Sequence, residues 1–520
     1  MRPRADRGAL PRWPLDALIA LSVGLLLLMF FPGGMSIDSY TQLLEARSGR
    51  FEDWHPPFMA WLWRMMETVA AGPLPMLLAQ LALFVAALAL FARRAMPGDG
   101  FAQRLFVLLT LWCVPVSGII GVIWKDVWTS CLLLLAAACV LPAARPEAPA
   151  RRAVRAAVAA GAMLGALLFR HNAVFAILPL LLAAGWQWTG ATANAGRGPT
   201  GAWTRGPVGD RLGVRADSRA DGRAGRLPGG LPGGRTRRLA VAGLAGVAAT
   251  AALLAAASTV NRALTVRQMF PVQSIFLFDL AGIVVRTGRV ELLAGQPSEI
   301  AGVLRGRETV PVDALRVHYY PSTWTPLVFV DGSPLSVTTD GAQVDALGRR
   351  WRHALWTEPA AYLEHRMGVF QQVTGAHGGG LFAPVYFGIP AGSPDVAEVG
   401  RSFAPDAGDL GPAQQQLRRV FEYVSTLPVH RPWFWLALNL PLIAAAAFYS
   451  RRGAALAALG ASGLLSELAL FFIAPSADYR YSHWLVLSTW ALGAALIGEF
   501  AARRAAARTR VRNAAGIPAC

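Results

Sequence analysis

The chain has 520 residues, of which 54% are hydrophobic and 15% are charged, and its mean hydropathy is +0.40. A soluble protein of this length usually carries far more charge, so the composition excludes an ordinary soluble protein and indicates a polytopic membrane protein. The formal net charge of +18 does not predict a nucleic-acid partner. Most arginines flank apolar runs or crowd one linker, as membrane topology and contact with anionic membrane lipids would produce.

Repeated apolar runs predict the membrane-spanning segments. The first run follows Arg2, Arg4, Arg7 and Arg12, and its length favours an uncleaved first helix over a cleaved signal peptide. In chain order the predicted spans are about 15–32, 74–92, 105–123, 127–143, 154–169, 173–188, 239–258, 433–449, 453–474 and 484–501.

The arginines between these spans predict the orientation. Arginine-rich connections follow the second, fourth, eighth and tenth spans: Arg93, Arg94 and Arg104; Arg145, Arg151, Arg152 and Arg155; Arg451 and Arg452; and Arg503, Arg504, Arg508, Arg510 and Arg512. All of them fall on the side of the N-terminus. The positive-inside rule therefore predicts a multi-pass protein of the bacterial cytoplasmic (inner) membrane with both termini in the cytoplasm.

The predicted fold is a polytopic α-helical membrane protein with about ten transmembrane helices and an α+β outer segment. Its parts are an N-terminal transmembrane module at 1–188 with a first outer loop at 33–73, a linker at 189–238, a transmembrane helix at 239–258, an outer soluble segment at 259–431, C-terminal transmembrane helices at 432–502 and a basic cytoplasmic tail at 503–520. The outer segment combines a strand-like run, "TPLVFVDGSPLSVTT", with a helical pattern over 346–373.

The linker contains ten arginines and three aspartates among many glycines. Such a composition cannot bury a core and predicts a disordered cytoplasmic segment. One interpretation is a tether for lipid headgroups; we favour an insertion that maintains the positive-inside balance. Cys113, Cys131 and Cys139 lie in apolar runs and Cys520 is the last residue, so no disulfide framework or CxxC metal site is indicated.

Polar residues collect at the predicted outer ends of the helices. The first outer loop carries Asp38, Tyr40, Glu45, Glu52, Asp53 and His55; the second Trp124, Lys125 and Asp126; the third Arg170, His171 and Asn172; the last Asp478, Arg480, Tyr481 and His483. Ionisable groups at membrane depth are costly and usually face a cavity or a partner. Acids and bases on one side of the membrane therefore predict a site for an anionic substrate handled outside the cytoplasm.

Lys125 is the single lysine among 49 basic residues. An interfacial anchor between tryptophans is the alternative interpretation. However, an anchor could have been arginine, as elsewhere in this chain, whereas lysine is a compact point charge suited to a phosphate oxygen in a tight space. Arg170 and Arg480 could likewise be anchors, and the prolines after His55 could simply start a helix. Glu467, inside the ninth span, is interpreted as a buried partner of one of these bases.

Asp38 to Tyr40 directly after the first span, followed by "DWHPP" at 53–57, resembles the opening of GT-C glycosyltransferases. The resemblance is closest to the protein O-mannosyltransferase and lipid A aminoarabinose transferase group and covers about the first seven spans. It implies a GT-C-like fold with Asp38 as the catalytic acidic residue. "WKD", "RHN" and "DYRY" look like the motifs of uncharacterised bacterial relatives. Ser39 stands where the mannosyltransferases commonly have a second acid.

The predicted activity is a glycosyltransferase that moves a sugar from a polyprenyl-phosphate donor to an acceptor hydroxyl on a lipid, glycan or protein. Asp38 would accept the hydroxyl proton, and Lys125, Arg170 and Arg480 would hold the leaving phosphate. Asp126 would orient Lys125 or contact the acceptor, and His55 would shape the donor pocket. The other predicted binding residues are Tyr40, Asp53, His171, Asn172, Asp478 and Tyr481. One base without a carboxylate nucleophile predicts inversion.

No cofactor is predicted, because no DxD motif is present and the cations could replace a divalent metal; metal dependence stays open as an alternative. His318, His353, His365 and His377 lack metal-ligand spacing. Two other classes of protein also stay open: a transporter or flippase of a lipid-linked glycan, and a membrane scaffold whose outer segment binds a partner. A polymerase or ligase of surface polysaccharide would share the predicted chemistry.

Overall fold

A computed structural model describes residues 13–96, 98–143, 147–195, 233–294, 299–377, 384–388, 411–450 and 452–514. The helices of this part are α1 (Trp13–Phe30), α2 (Ile37–Ser48), α3 (Phe58–Glu67), α4 (Leu74–Ala95), α5 (Gly100–Leu111), α6 (Val114–Ser117), α7 (Lys125–Val140), α8 (Pro149–Phe169), α9 (Val174–Ala195), α10 (Gly233–Leu264), α11 (Gln273–Thr287), α12 (Val312–His318), α13 (Gly341–Thr357), α14 (Pro359–Val373), α15 (Pro412–Val424), α16 (Pro432–Tyr449), α17 (Gly453–Ile473) and α18 (His483–Ala514).

The molecule is a mostly helical, multi-pass membrane protein. Within the described ranges six segments are long and apolar enough to cross a bilayer: Leu74–Ala95, Pro149–Phe169, Ala240–Leu264, Pro432–Tyr449, Gly453–Ile473 and Tyr479–Val511. Three shorter apolar helical segments are Pro14–Phe30, Gly100–Leu111 and His171–Gln187. Each of these segments overlaps a predicted span, while the total of about ten spans and the orientation stay predictions.

The third predicted span, 105–123, is wrong as one continuous helix. Helix α5 ends at Leu111, and after the single turn of α6 the chain bends back toward α7. The side-chain amide of Gln80 donates to the carbonyl oxygens of Ile120 (2.6 Å) and Val122 (2.9 Å), which therefore need no helical partner. Gly121 is required there, because a Cβ atom would lie 2.0 Å from Cγ of Phe30.

Three hydrophobic cores organise the described residues, and the smallest packs α2 and α3 against α4, α7 and α8. The largest core lies among the apolar helices, whereas the second core joins α11, α13 and α14 to the end of α17. The helical pattern predicted over 346–373 is confirmed, but it forms two helices, α13 and α14. The first helix ends before Pro359, because proline has no N–H with which to continue it.

The strand predicted for residues 325–339 is wrong. This run instead contains a 3-10 turn at Thr325–Leu327 followed by turns and extended chain. Arg305 donates to the carbonyl oxygen of Leu335 (2.9 Å). This carbonyl is therefore bonded to a side chain and not to the N–H of a neighbouring strand. Across the described parts of the outer segment we observe helices, turns and isolated β-bridges but no strands, and the α+β prediction is not confirmed.

The predicted linker at 189–238 lies largely outside the described residues. At its two ends α9 continues to Ala195 and α10 begins at Gly233, so its helical flanks are longer than the hydropathy indicated. The basic tail predicted at 503–520 begins as the last turns of α18.

Candidate functional site

Asp38 lies in the first turn of α2, whose N-terminus is tightly fixed. Ser36 and Ser39 form a reciprocal capping box. The Ser39 hydroxyl also donates to the carbonyl oxygen of Ile123 (2.8 Å), and the Trp124 indole donates to the Ser36 hydroxyl (2.7 Å). The serine at the second-acid position therefore ties the first outer loop to the second and orients Asp38.

Arg480 joins three carboxylates from three separate segments. Its Nη2 lies 2.7 Å from Oδ2 of Asp38, its Nε lies 2.6 Å from Oδ2 of Asp478, and Nε lies 3.8 Å from Oδ2 of Asp126. Burial by itself would raise the pKa of Asp38, but Arg480, His55 and Lys125 outweigh it and hold that pKa well below its ordinary value. Asp38 is therefore ionised at neutral pH.

His55 links Asp38 to Lys125. Its Nδ1 contacts the Lys125 ammonium, which has no acceptor, so Nδ1 accepts and the proton is on Nε2. Nε2 lies 3.5 Å from Oδ1 of Asp38 and points its N–H toward that carboxylate. Burial, reinforced by Lys125, lowers the pKa of His55 despite Asp38, so the ring is neutral.

Arg170 is the third cation of the group that contains Arg480 and Lys125. It is ion-paired with Asp126, which is 3% exposed, and its guanidinium lies 4.4 Å from the ring centroid of Tyr481. The Arg480 guanidinium similarly lies 4.8 Å from the ring of Trp124. The aromatic faces stabilise both cations without neutralising them. We call Lys125, Arg170 and Arg480 the cationic cluster.

A recess opens beside the cationic cluster, with about 300 Å³ of empty volume that includes its open mouth. It is lined by Asp126, Thr129, Ser130, Leu133, Arg170, Asn172, Ala173, Ser466, Arg480, Tyr481 and Trp484. The side-chain oxygen of Asn172 is buried there without a hydrogen-bond partner among the described residues. Two guanidinium groups and an amide can bind an anion in such a recess.

Backbone contacts from the outer segment fix the loop that carries Asp478 and Arg480. The N–H of Trp324 donates to the carbonyl oxygen of Pro475 (3.1 Å), and the N–H of Ala477 donates to that of Ser322 (2.7 Å). The Asp478 carboxylate then caps the following turn by accepting from the N–H of Arg480 (3.3 Å). The outer segment thus helps to position the cationic cluster.

Eight of the predicted site residues come together: Asp38, His55, Lys125, Asp126, Arg170, Asp478, Arg480 and Tyr481. Asn172 lies on the adjacent recess, and His171 has an exposed side chain. Tyr40 is buried in an apolar cluster. Asp53 accepts a hydrogen bond from the N–H of Met269 and so joins the first outer loop to the chain after α10.

Glu467 is buried in α17, and the prediction that it pairs with a base is wrong. Its Oε1 accepts a hydrogen bond from the Ser482 hydroxyl (2.9 Å). Helix α17 packs against the turn after Asp478, and this packing places the neutral Ser482 hydroxyl beside Glu467. Hydropathy does not reveal such a contact.

Three further residues near the site, Gln42, Glu45 and Tyr386, were assigned no role from the sequence. Gln42 and Glu45 follow Asp38 at helical spacing, which was an available signal once α2 was recognised as a helix. Tyr386 stacks on Trp124 with ring centroids 4.9 Å apart, and nothing in the residues around Tyr386 indicated this contact.

No protein-family model matches the chain, and no curated protein is similar to it in sequence. Among solved structures it is similar to the archaeal oligosaccharyltransferase AglB from Archaeoglobus fulgidus, in complex with an inhibitory peptide and a dolichol-phosphate, at 13% identity and a TM-score of 0.38. The match covers 98% of this chain and 53% of AglB, so this chain spans about half the length of that protein.

Proposed function

We propose that this protein is an inverting GT-C-type glycosyltransferase. It would move a sugar from a polyprenyl-phosphate donor to a hydroxyl of a lipid, glycan or protein acceptor on the outer face of a bacterial cytoplasmic membrane. Both termini would lie in the cytoplasm, with residues 259–431 outside. The observation that carries the proposal is the salt bridge between Asp38 and Arg480 inside the cationic cluster, which brings a candidate base beside candidate phosphate ligands.

The cationic cluster offers charged N–H donors to a lipid phosphate. Lys125, Arg170 and Arg480 converge from three segments, and negative charge develops on the phosphate as its bond to the sugar breaks. The aromatic rings lie over the faces of Arg170 and Arg480, so the edges of both guanidinium groups face oxygen atoms, which in the free protein are those of Asp38, Asp126 and Asp478.

Asp38 is the proposed base. Its pKa is held low by Arg480, which makes the carboxylate a weak base in the free protein. Phosphate binding would attract Arg480 away from Asp38 and strengthen the base when the donor is in place. The acceptor oxygen then bonds to the anomeric carbon, the bond from that carbon to the phosphate oxygen breaks with its electron pair going to phosphate, and Asp38 takes the hydroxyl proton. A single displacement of this kind inverts the anomeric centre.

Buried Glu467 is the observation that favours the second candidate, a transporter or flippase of a lipid-linked glycan, since such proteins use acids at membrane depth. A transporter needs the cationic cluster but no base. The Asp38→Asn variant separates the two functions, because it should stop transfer and leave translocation of a lipid-linked glycan unchanged.

The test is sugar transfer by purified protein in nanodiscs, with a panel of polyprenyl-phosphate sugars and acceptors. Asp38→Asn should bind donor and fail to transfer, whereas Lys125→Ala should lose donor binding. Both variants should retain the wild-type melting temperature. Normal transfer by either variant would overturn its proposed role, and donor translocation without transfer by the wild type would establish the transporter.

A further inference from the structure

Helix α2 has two buried stripes of different character. Tyr40, Leu43 and Ala46 are at most 1% exposed and pack in an apolar cluster. The neighbouring stripe is polar, yet Gln42 and Glu45 on it are only 1% and 6% exposed. Most surface helices bury an apolar stripe and turn their polar residues to water, so the buried polar stripe needs a separate explanation.

The polar stripe begins at Asp38. Residues 38, 42 and 45 are spaced by four and three positions, which places them on one face of the helix. The rise of the helix separates the first from the last by about 10 Å. The cationic cluster meets the stripe at Asp38, since Nη2 of Arg480 lies 2.7 Å from Oδ2 of Asp38 and His55 links Asp38 to Lys125.

Two acceptor atoms on the stripe have no hydrogen-bond partner in the described part of the chain, and these are Oε1 of Gln42 and Oε1 of Glu45. The amide nitrogen of Gln42 donates to the carbonyl oxygen of Asp38 (3.3 Å). Only the nitrogen can make that bond, so the amide orientation is set and the oxygen is left as an acceptor. The other oxygen of Glu45 accepts from the N–H of Glu52 (3.4 Å).

Buried acceptors without partners cost folding free energy, and a ligand that supplies donors removes this cost when it binds. The missing chemistry is a pair of hydroxyl donors spaced by about one turn of helix, beyond Asp38 and the proposed phosphate site. A sugar attached to a phosphate has this arrangement.

We propose that Gln42 and Glu45 form a sugar-binding subsite in which their Oε1 atoms accept hydrogen bonds from hydroxyl groups of the donor's sugar. The subsite rests on the proposed transferase function and extends it, since the cationic cluster holds the phosphate and α2 holds the sugar. The two residues bind substrate and take no part in bond making.

The experiment compares binding of two probes to purified protein in nanodiscs: a polyprenyl phosphate, and the same lipid phosphate carrying a hexose. The variants are Gln42→Met and Glu45→Met, which remove the acceptors, and Glu45→Gln, which keeps an acceptor in the same shape. Thr41→Val is the matched control, because the Thr41 hydroxyl is exposed and donates to the Ile37 carbonyl of its own helix (3.0 Å).

Gln42→Met and Glu45→Met should each weaken binding of the hexose-bearing lipid about tenfold, as expected for a lost buried hydrogen bond. Binding of the sugar-free lipid should change less than about twofold in both variants, which also checks that they fold. Glu45→Gln should weaken hexose binding less than Glu45→Met. Equal losses for both lipids, or no loss for either, would overturn the subsite. Lys125→Ala tests the proposed function separately, since it should weaken both lipids alike.

Discussion

Arg366 donates a hydrogen bond of 2.9 Å from Nη1 to the backbone carbonyl oxygen of Ala474, the C-cap residue directly after α17. The Arg366 and Asp279 side chains are 0% exposed, and Nε of Arg366 lies 2.6 Å from Oδ1 of Asp279. A buried ion pair in the core of the outer segment is thus bonded to the start of the loop that carries Asp478 and Arg480. The outer segment therefore supports the site from outside the membrane helices.

Arg366→Gln should destabilise the outer segment by about 3–5 kcal/mol, because it leaves the buried Asp279 carboxylate without its cation. Thermal unfolding in detergent should show a lower melting temperature, and donor binding should weaken as the loop loses its anchor. The Asp279→Asn/Arg366→Gln double variant should lose less stability than the sum of the two single variants. Unchanged melting of Arg366→Gln would contradict the role of this ion pair.

Arg480→Gln should reduce kcat/KM more than a hundredfold, because one change removes a phosphate ligand and the partner of both Asp38 and Asp478. Arg480→Lys should recover little, since an ammonium cannot span the two carboxylates as the guanidinium does.

Arg47→Gln is the matched control for Arg480. The Arg47 side chain lies 2.9 Å from Glu67, is 31% exposed and sits at the far end of α2 from Asp38. Partly exposed pairs contribute at most about 1 kcal/mol, so this variant should keep transfer within about twofold of wild type. A comparable loss in both variants would mean that the effect at Arg480 is not specific to the site.

Hexose binding should strengthen as the pH rises from 6 to 8. Burial, with a smaller contribution from the Glu52 carboxylate, raises the pKa of Glu45 to about 7, although the Glu52 N–H and Lys125 oppose the shift. Below that pH Glu45 is mainly protonated, and above it the carboxylate is a stronger acceptor for sugar hydroxyls.

The quantity to measure is the ratio of the dissociation constants of the sugar-free and hexose-bearing lipids, since charge changes in the cationic cluster affect both lipids alike. The ratio should rise several-fold between pH 6 and 8 in the wild type and stay level in Glu45→Gln. The same slope in the variant would assign the pH dependence to another group.

Removal of divalent metal should leave transfer unchanged. Among the residues that the structure describes, no three His, Cys, Asp or Glu side chains form a group that could hold a metal ion. Asp38 and Asp126 are already ion-paired with Arg480 and Arg170, and the cationic cluster is the proposed phosphate site. The measurement is transfer after chelation with EDTA. Activity that disappears with EDTA and returns with Mg²⁺ or Mn²⁺ would assign the phosphate to a metal instead.

Hydropathy, arginine distribution and short motifs predicted the multi-pass helical class, most of the apolar helices and the segments that carry the polar residues. These features are local, because a run of apolar residues or a helix cap depends on neighbours within one or two turns. The unusual single lysine pointed to Lys125, and the acid after the first span pointed to Asp38, without any knowledge of what either contacts.

Tertiary structure decided the pairings. Asp38 meets Arg480, His55 bridges Asp38 to Lys125, and Arg366 holds Ala474, all between residues that are distant in the chain. Such contacts leave no periodic signal. Long-range hydrogen bonds also overrode the local preference for regular secondary structure. Arg305 bonds to a carbonyl oxygen of the predicted strand, and Gln80 stabilises the bend within the third predicted span. The sequence by itself determined which segments are apolar and which carry charge; packing of those segments against one another determined which charges meet, because an ion pair depends on distance in space and not along the chain.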